Sequence, residues 1–237
     1  MKGSIRAIAI LLAVAGAIGS VASYKVCTLI FSEIQHTTVA YHIDERLSQD
    51  VQRQIIAFVQ SHADSAPQQL IDDICAQFGF VENVQLSHTP HAQTLQIQSR
   101  PLLALINDQE VATAAGLLFD KNNFSDQSLQ NIKRVQVPAE QCTQMLAPVV
   151  HDWIERMPAD LFASFAVTWV DENAIELKSK NDSQLVIRCS HTQSVDQLCA
   201  QACAQAKDEM VQQRSLERHQ ELVADVRFDR QIIISKR

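Results

Sequence analysis

The chain has 237 residues, 46% of them hydrophobic, with 20 basic and 27 acidic side chains and a net charge of −7. An acidic surface repels phosphate backbones, which argues against a nucleic-acid partner. Of five glycines only Gly79 and Gly116 lie beyond residue 19, so no glycine-rich phosphate loop or G-x-S-x-G nucleophile turn can be written.

Ala7–Ser23 carries no charge and is almost wholly apolar, and Val26–Phe31 extends the apolar run beyond Lys25. The reading is a transmembrane anchor over 7–31, with residues 1–6 on the cytoplasmic side because Lys2 and Arg6 precede it. The alternative is a cleaved signal peptide, for which Ser20-Val21-Ala22 supplies small residues. Residues 26–237 hold 17 basic and 27 acidic side chains, and both readings place them outside the cytoplasmic membrane.

Residues 33–100 read strand, helix, helix, strand, strand. Val39, Tyr41 and Ile43 alternate as in a half-buried strand. Ser48 suits an N-cap, and Val51, Ile55, Phe58 and Val59 recur with helical spacing. Ser61–Ala66 reads as a loop. Pro67 then opens a second helix with the stripe Leu70, Ile71, Ile74, Cys75 and Phe78. Strands follow at Val81–Leu86 and Thr94–Gln98, across a turn that carries His88 and His91.

Residues 101–237 open with a strand pair, Leu102–Ile106 and Glu110–Thr113, turning at Asn107-Asp108. A strand over 132–137, a helix over Ala139–Met157 interrupted at Pro148, and a further turn from Pro158 come next. Three strands, Phe165–Trp169, Ala174–Lys178 and Gln184–Cys189, precede a long helix, Val195–Gln220. The chain closes on Leu222–Phe228 and Gln231–Ser235.

The order and wording of Val81, Val84, Leu86, Thr94, Leu95, Ile97, Arg100, Pro101, Ala104, Ile106, Asn107, Asp108, Val111, Gly116 and Phe119 resemble the segment that joins the POTRA and β domains of the FtsQ/DivIB family of bacterial cell-division proteins. Asp225, Arg227 and Phe228 match that family's late "D-x-R-[FY]". Asp44-Glu45 stand where the family often has Gly-Asn. The resemblance implies an α+β fold: a single N-terminal transmembrane helix, a POTRA domain over 33–100, and a mixed β domain with flanking helices over 101–237. It also implies a non-enzymatic divisome scaffold in the bacterial inner membrane, with the bulk of the chain extracytoplasmic. Such a scaffold recruits partners of the FtsB and FtsL type during septal peptidoglycan synthesis.

The resemblance further places a partner strand against the last strands, so Asp225, Arg227, Phe228, Ile232 and Ile234 are the expected partner-binding residues. The plainer reading of Val226, Phe228, Ile232 and Ile234 is core. The alternative function is a POTRA-bearing protein of export or outer-membrane assembly. A cell-wall enzyme is a third reading, disfavoured by the lack of an active-site motif.

No catalytic, cofactor-binding or metal-ligating residue is expected. Cys199 and Cys203 share a helical face and resemble half a metal site, but Val195, Leu198, Ala202, Ala206 and Met210 share that face and favour packing. His88 and His91 read as turn residues, and His36, His42, His62, His151, His191 and His219 as scattered. The pairs Asp72-Asp73 and Asp171-Glu172 point in different directions, as neighbours do, and read as solvated surface. Five cysteines lie beyond Cys27, and the reading is mostly free, buried thiols, with one bridge of undetermined partners left open. Trp153 and Trp169 read as core or rim.

Overall fold

The structure is a computed structural model that describes residues 38–88, 92–181, 184–193, 221–228 and 232–237. The chain divides into two compact units: the described residues of Met1–His42 with Val84–Ile97 form one, and those of Ile43–Asn83 with Gln98–Arg237 the other.

The first unit is built on a three-stranded sheet. Its strands are β1 (Thr38–Ile43), β2 (Val81–His88) and β3 (Ala92–Ser99), in the order β1-β3-β2. Val84 on β2 and Leu95 and Ile97 on β3 are buried, while Gln85, Gln96 and Gln98 between and beside them are exposed. That period of two is what a sheet with one covered face requires.

The second unit begins with two helices, α1 (Gln49–Ser61) and α2 (Pro67–Gln77). The Ser48 hydroxyl accepts from the Val51 N–H and caps α1. Pro67 opens α2, where its missing N–H costs nothing. Val51, Ile55 and Val59 on α1 and Leu70 and Ile74 on α2 are buried, as their spacing predicts. Phe58 of α1 meets Phe78 edge to face at 5.7 Å. Phe78 leads to Phe80, and Phe80 contacts Phe119 at 6.0 Å and Phe124 at 6.1 Å. Backbone bonds from Ser48 N–H to the Asn123 carbonyl and from Ser125 N–H to the Arg46 carbonyl fasten the start of α1 to this aromatic group.

A nine-stranded mixed sheet fills the rest of the unit. Its strands are β4 (Leu102–Ile106), β5 (Glu110–Thr113), β6 (Leu118–Asp120), β7 (Lys133–Gln136), β8 (Phe165–Asp171), β9 (Ala174–Ser179), β10 (Leu185–Cys189), β11 (Leu222–Asp225) and β12 (Ile233–Lys236). They lie in the order β12-β11-β10-β9-β8-β7-β4-β5-β6. The pairs β4–β7, β7–β8 and β10–β11 are parallel and the others antiparallel. Short helices α3 (Asp126–Leu129), α4 (Pro148–Arg156) and α5 (Ala159–Ser164), with single 3-10 turns at Lys121–Asn123 and Ala139–Gln141, complete the described elements. One face of the sheet buries Ile106, Val135, Val167, Trp169, Ile175, Leu177 and Ile187 together with Val150, Trp153 and Ile154 of α4. Trp153 and Trp169 are 0% and 1% exposed, and their rings meet edge to face at 6.0 Å.

The β4–β5 hairpin shows why its turn carries Asn107-Asp108. Both residues take positive φ, 53° and 57°, a conformation that Asn and Asp tolerate better than most residues. The Asn107 amide then donates to the Val137 carbonyl and accepts from the Val137 N–H at 2.8 Å. A side chain thus extends the parallel ladder past the end of β4. Asp108 accepts from Arg134 and Gln136 of β7.

Several expectations are corrected. The fold class is α+β with a large mixed sheet, and in place of the expected fold with a transmembrane helix the described residues hold no helix long and apolar enough to cross a membrane. The longest of them, α1, has 13 residues and spans about 20 Å, short of a hydrocarbon core of ~30 Å; it also carries Gln49, Asp50 and Arg53 on exposed positions. The run 7–31 lies outside the described residues, as do Cys27, His36, His91, His219 and the helix expected over Val195–Gln220 with Cys199 and Cys203.

The helix expected over Ala139–Met157 is a 3-10 turn at Ala139–Gln141 followed, after a break, by α4. A proline disfavours helical backbone in the residue before it, and Ala147 is accordingly extended at ψ 136°. Residues 142–146 form bridges instead, Cys142 with Leu146 and Leu117 with Met145. Finally, β11 stops at Asp225 rather than Phe228, because Arg227 turns back onto Asp225.

Candidate functional site: the free edge of the large sheet

A sheet of nine strands has two edges. At one, β6 is covered: its Leu118 N–H donates to the Gln144 carbonyl, and Leu117 bridges Met145. At the other, β12 pairs with β11 on one side, and among the described residues no strand pairs with its outer side.

The register identifies the free groups. Glu221 and Arg237 exchange two backbone bonds, each 2.9 Å. Antiparallel pairs alternate between bonded and non-bonded. With Val223 opposite Ser235 and Asp225 opposite Ile233, those pairs continue the bonded set. Ile234 and Lys236 therefore aim their N–H and C=O groups outward. No described strand pairs with them, and such a row of outward donors and acceptors is what an added strand uses.

Side chains around this edge divide by exposure. Ile232 and Ile234 are half-buried and pack on the core, and Val226 is fully buried. Phe228 is 48% exposed and Ile233 47% exposed. Of the four residues in the core reading, Val226 belongs to the core, Ile232 and Ile234 to its margin, and Phe228 lies outside it.

Asp225 and Arg227 form a clasp that shapes the corner. The Arg227 Nε and its second guanidinium nitrogen donate to the Asp225 carboxylate at 3.0 and 2.7 Å, and the Arg227 N–H donates at 3.1 Å. Burial acts to raise the Asp225 pKa, but the hydrogen bonds from Arg227 and the nearby Arg188 charge outweigh it and hold the carboxyl below its ordinary value. The same hydrogen bond raises the Arg227 pKa. With its guanidinium fixed, Arg227 lies 5.8 Å from the centre of the Phe228 ring. Val226 continues the ladder to the Arg188 carbonyl, and the Gln193 amide donates to the Val226 carbonyl.

Beside the edge the sheet carries ion pairs. Lys178 pairs with Glu221 and Arg188 with Glu176, which also meets Arg237 at 3.4 Å. The hydrogen bond from Lys178 holds the Glu221 pKa down against a small opposing effect of burial.

Asp72 and Asp73 lie on α2, exposed and half-buried, and Asp171 and Glu172 are exposed at the end of β8 and in the turn after it. Cys75, Cys142 and Cys189 are free thiols. Burial pushes Cys189 up to about 12 and Cys142 up to about 11, so both remain protonated. One grouping that sequence reading passed over is His151, Asp152 and Glu155 on α4, whose side-chain ligand atoms lie within 4.8 Å of one another. The signal was present as a His and a Glu four apart on a helix. No protein-family model matches the chain, and no curated protein matches it.

Proposed function

We propose that this protein is a non-enzymatic scaffold of the bacterial divisome, similar in role to FtsQ/DivIB. It holds small coiled-coil partners of the FtsB and FtsL type on the outer side of the inner membrane. The observation that carries the reading is the free outer side of β12, with Ile234 and Lys236 offering backbone groups and Phe228 and Ile233 exposed beside them. A partner segment adds there as a tenth strand. Main-chain bonds supply affinity, and the exposed aromatic supplies the anchor that dominates binding energy in most interfaces. The D-x-R wording has a physical role in this reading, because the Asp225–Arg227 clasp ends β11 and turns Phe228 outward. The strand-helix-helix-strand-strand order of residues 38–99 is a further point of likeness to the POTRA domain of that family.

The test is localisation of the tagged full chain in dividing cells. A band at midcell is the expected result. A uniform envelope signal contradicts the reading and favours a role in export or outer-membrane assembly, and peptidoglycan turnover by the purified chain contradicts its non-enzymatic character.

A further inference from the structure

The two edges of the large sheet are protected differently. A sheet edge with free backbone groups invites another strand, and native proteins blunt it by cover, a bulge, proline, shortness or charge. β6 has cover, from Gln144 and Met145. Over β12 no described strand lies. Its register with β11 runs without a bulge from Ile233 to Lys236, and residues 232–237 contain no proline. The strand is also adhesive: Ile232, Ile233 and Ile234 are consecutive β-branched residues, and Ile233 is 47% exposed. What remains is shortness, four residues, and charge.

Lys236 supplies the charge on the outward-bonding side. It is exposed, and among the described residues no carboxylate pairs with it. Arg237, by contrast, reaches back to Glu176 at 3.4 Å.

The free groups dictate how a second copy of this chain would pair. Two β12 strands joined antiparallel about a two-fold axis match outward-facing residues with outward-facing residues. Ile234 and Lys236 face outward. The register that uses both in each copy sets Ile234 opposite the second copy's Lys236, with Ser235 against its counterpart. Side chains directly opposite share a face, so the two Lys236 side chains come onto one face as diagonal neighbours, ~7–8 Å apart. Parallel, in-register pairing would set Lys236 beside Lys236. Two bonded pairs alone would hold the antiparallel dimer, so a repulsion on the scale of one cross-strand pair weighs against it.

We propose that Lys236 is an electrostatic gate on this edge: it turns away a second copy of this chain and leaves β12 open to a segment of another protein. The exclusion of a second copy stands on the edge geometry alone, whereas what the gate leaves room for rests on the scaffold reading.

The test is sedimentation of the full chain in mild detergent over a range of concentrations. Salt is set at about 0.1 M and at about 1 M, which screen charges beyond about 10 Å and about 3 Å. Wild type, Lys236→Thr and Lys236→Glu are compared, with circular dichroism to verify each fold. No partner protein is needed, so the outcome is independent of the scaffold reading. At the lower salt Lys236→Thr is expected to self-associate at least about threefold more tightly than wild type, and the higher salt should remove most of that difference. An equimolar mixture of wild type and Lys236→Glu should form a mixed dimer at least about threefold more tightly than either associates with itself, because the diagonal charges then attract. Equal self-association of wild type and Lys236→Thr at the lower salt overturns the proposal. So does a mixture that associates no more tightly than its two components.

Discussion

Arg46 grips Asp44 in the same geometry that joins Arg227 to Asp225. The Arg46 guanidinium donates to both carboxylate oxygens, at 2.7 to 3.1 Å, and its backbone N–H donates at 3.0 Å. Asp44 also accepts from the Ser99 N–H at 3.0 Å and from the Ser99 hydroxyl at 2.8 Å. Arg46 in turn donates to the Ser99 carbonyl. One carboxylate therefore fixes the entry to α1 and the end of β3.

This clasp makes stability depend on acid. Burial acts to raise the Asp44 pKa, but the bonds from Arg46 and Ser99 prevail and lower it to about 2. A carboxyl whose folded value lies below its unfolded value stabilises the protein above the unfolded value, near 4. That contribution is lost as pH falls through about 2. Asp44→Asn is expected to cost about 2 kcal/mol at pH 7, the scale of hydrogen bonds to a charged group. The urea midpoints of wild type and variant should converge between pH 4 and 2, and a gap that stays constant with pH would count against the assignment.

The paired tryptophans give a second expectation. Trp153 and Trp169 are the largest fully buried side chains, and among the described residues neither indole N–H has a hydrogen-bond partner. Trp153→Ala should cost about 3–5 kcal/mol through the cavity it leaves. Trp153→Phe should cost far less, because it keeps most of the ring and removes an unpartnered donor. Equal losses in thermal or denaturant unfolding would mean that shape alone decides.

Lys133 closes the end of α4. Its ammonium donates to the Ile154 carbonyl at 2.6 Å and the Met157 carbonyl at 2.7 Å, and it lies 5.4 Å from the centre of the Phe162 ring. Helix C-termini gather unpaired carbonyls and partial negative charge. Lys133→Met keeps the aliphatic stem and loses the donors, with an expected cost of about 1–3 kcal/mol. A urea midpoint unchanged from wild type would show that water replaces the ammonium without loss.

Local chemistry made much of the fold legible. The bounds of β4 and β5 follow from two apolar runs around Asn107-Asp108, and α1 and α2 follow from their stripes and starts at Ser48 and Pro67. What escaped depends on distance in the chain or on competition between local rules. Ser99 lies 55 residues from Asp44, so nothing local marks Asp44 as a junction. Ala139–Met157 has helical composition, yet Pro148 sets the helix start and leaves residues 142–146 to bridge. Asp225, Arg227 and Phe228 stand out by wording, but the backbone reversal that ends β11 comes with the Arg227–Asp225 bond, which strand periodicity does not encode. The His151 grouping depends on Ala114 and Gly116, whose nearness to α4 only the fold supplies.

The most direct test of the scaffold reading is binding of an FtsB- or FtsL-type partner to the full chain carrying Lys236→Pro or Phe228→Ala, with circular dichroism as the control for folding. Lys236 aims its N–H away from β11, so proline there removes an outward donor and spares the existing ladder. Phe228 is exposed, so its truncation should change stability by less than about 0.5 kcal/mol. The account predicts that each variant keeps the wild-type spectrum and loses partner capture at least about tenfold, the effect of removing an anchor residue. Wild-type capture by both folded variants would contradict strand addition at β12.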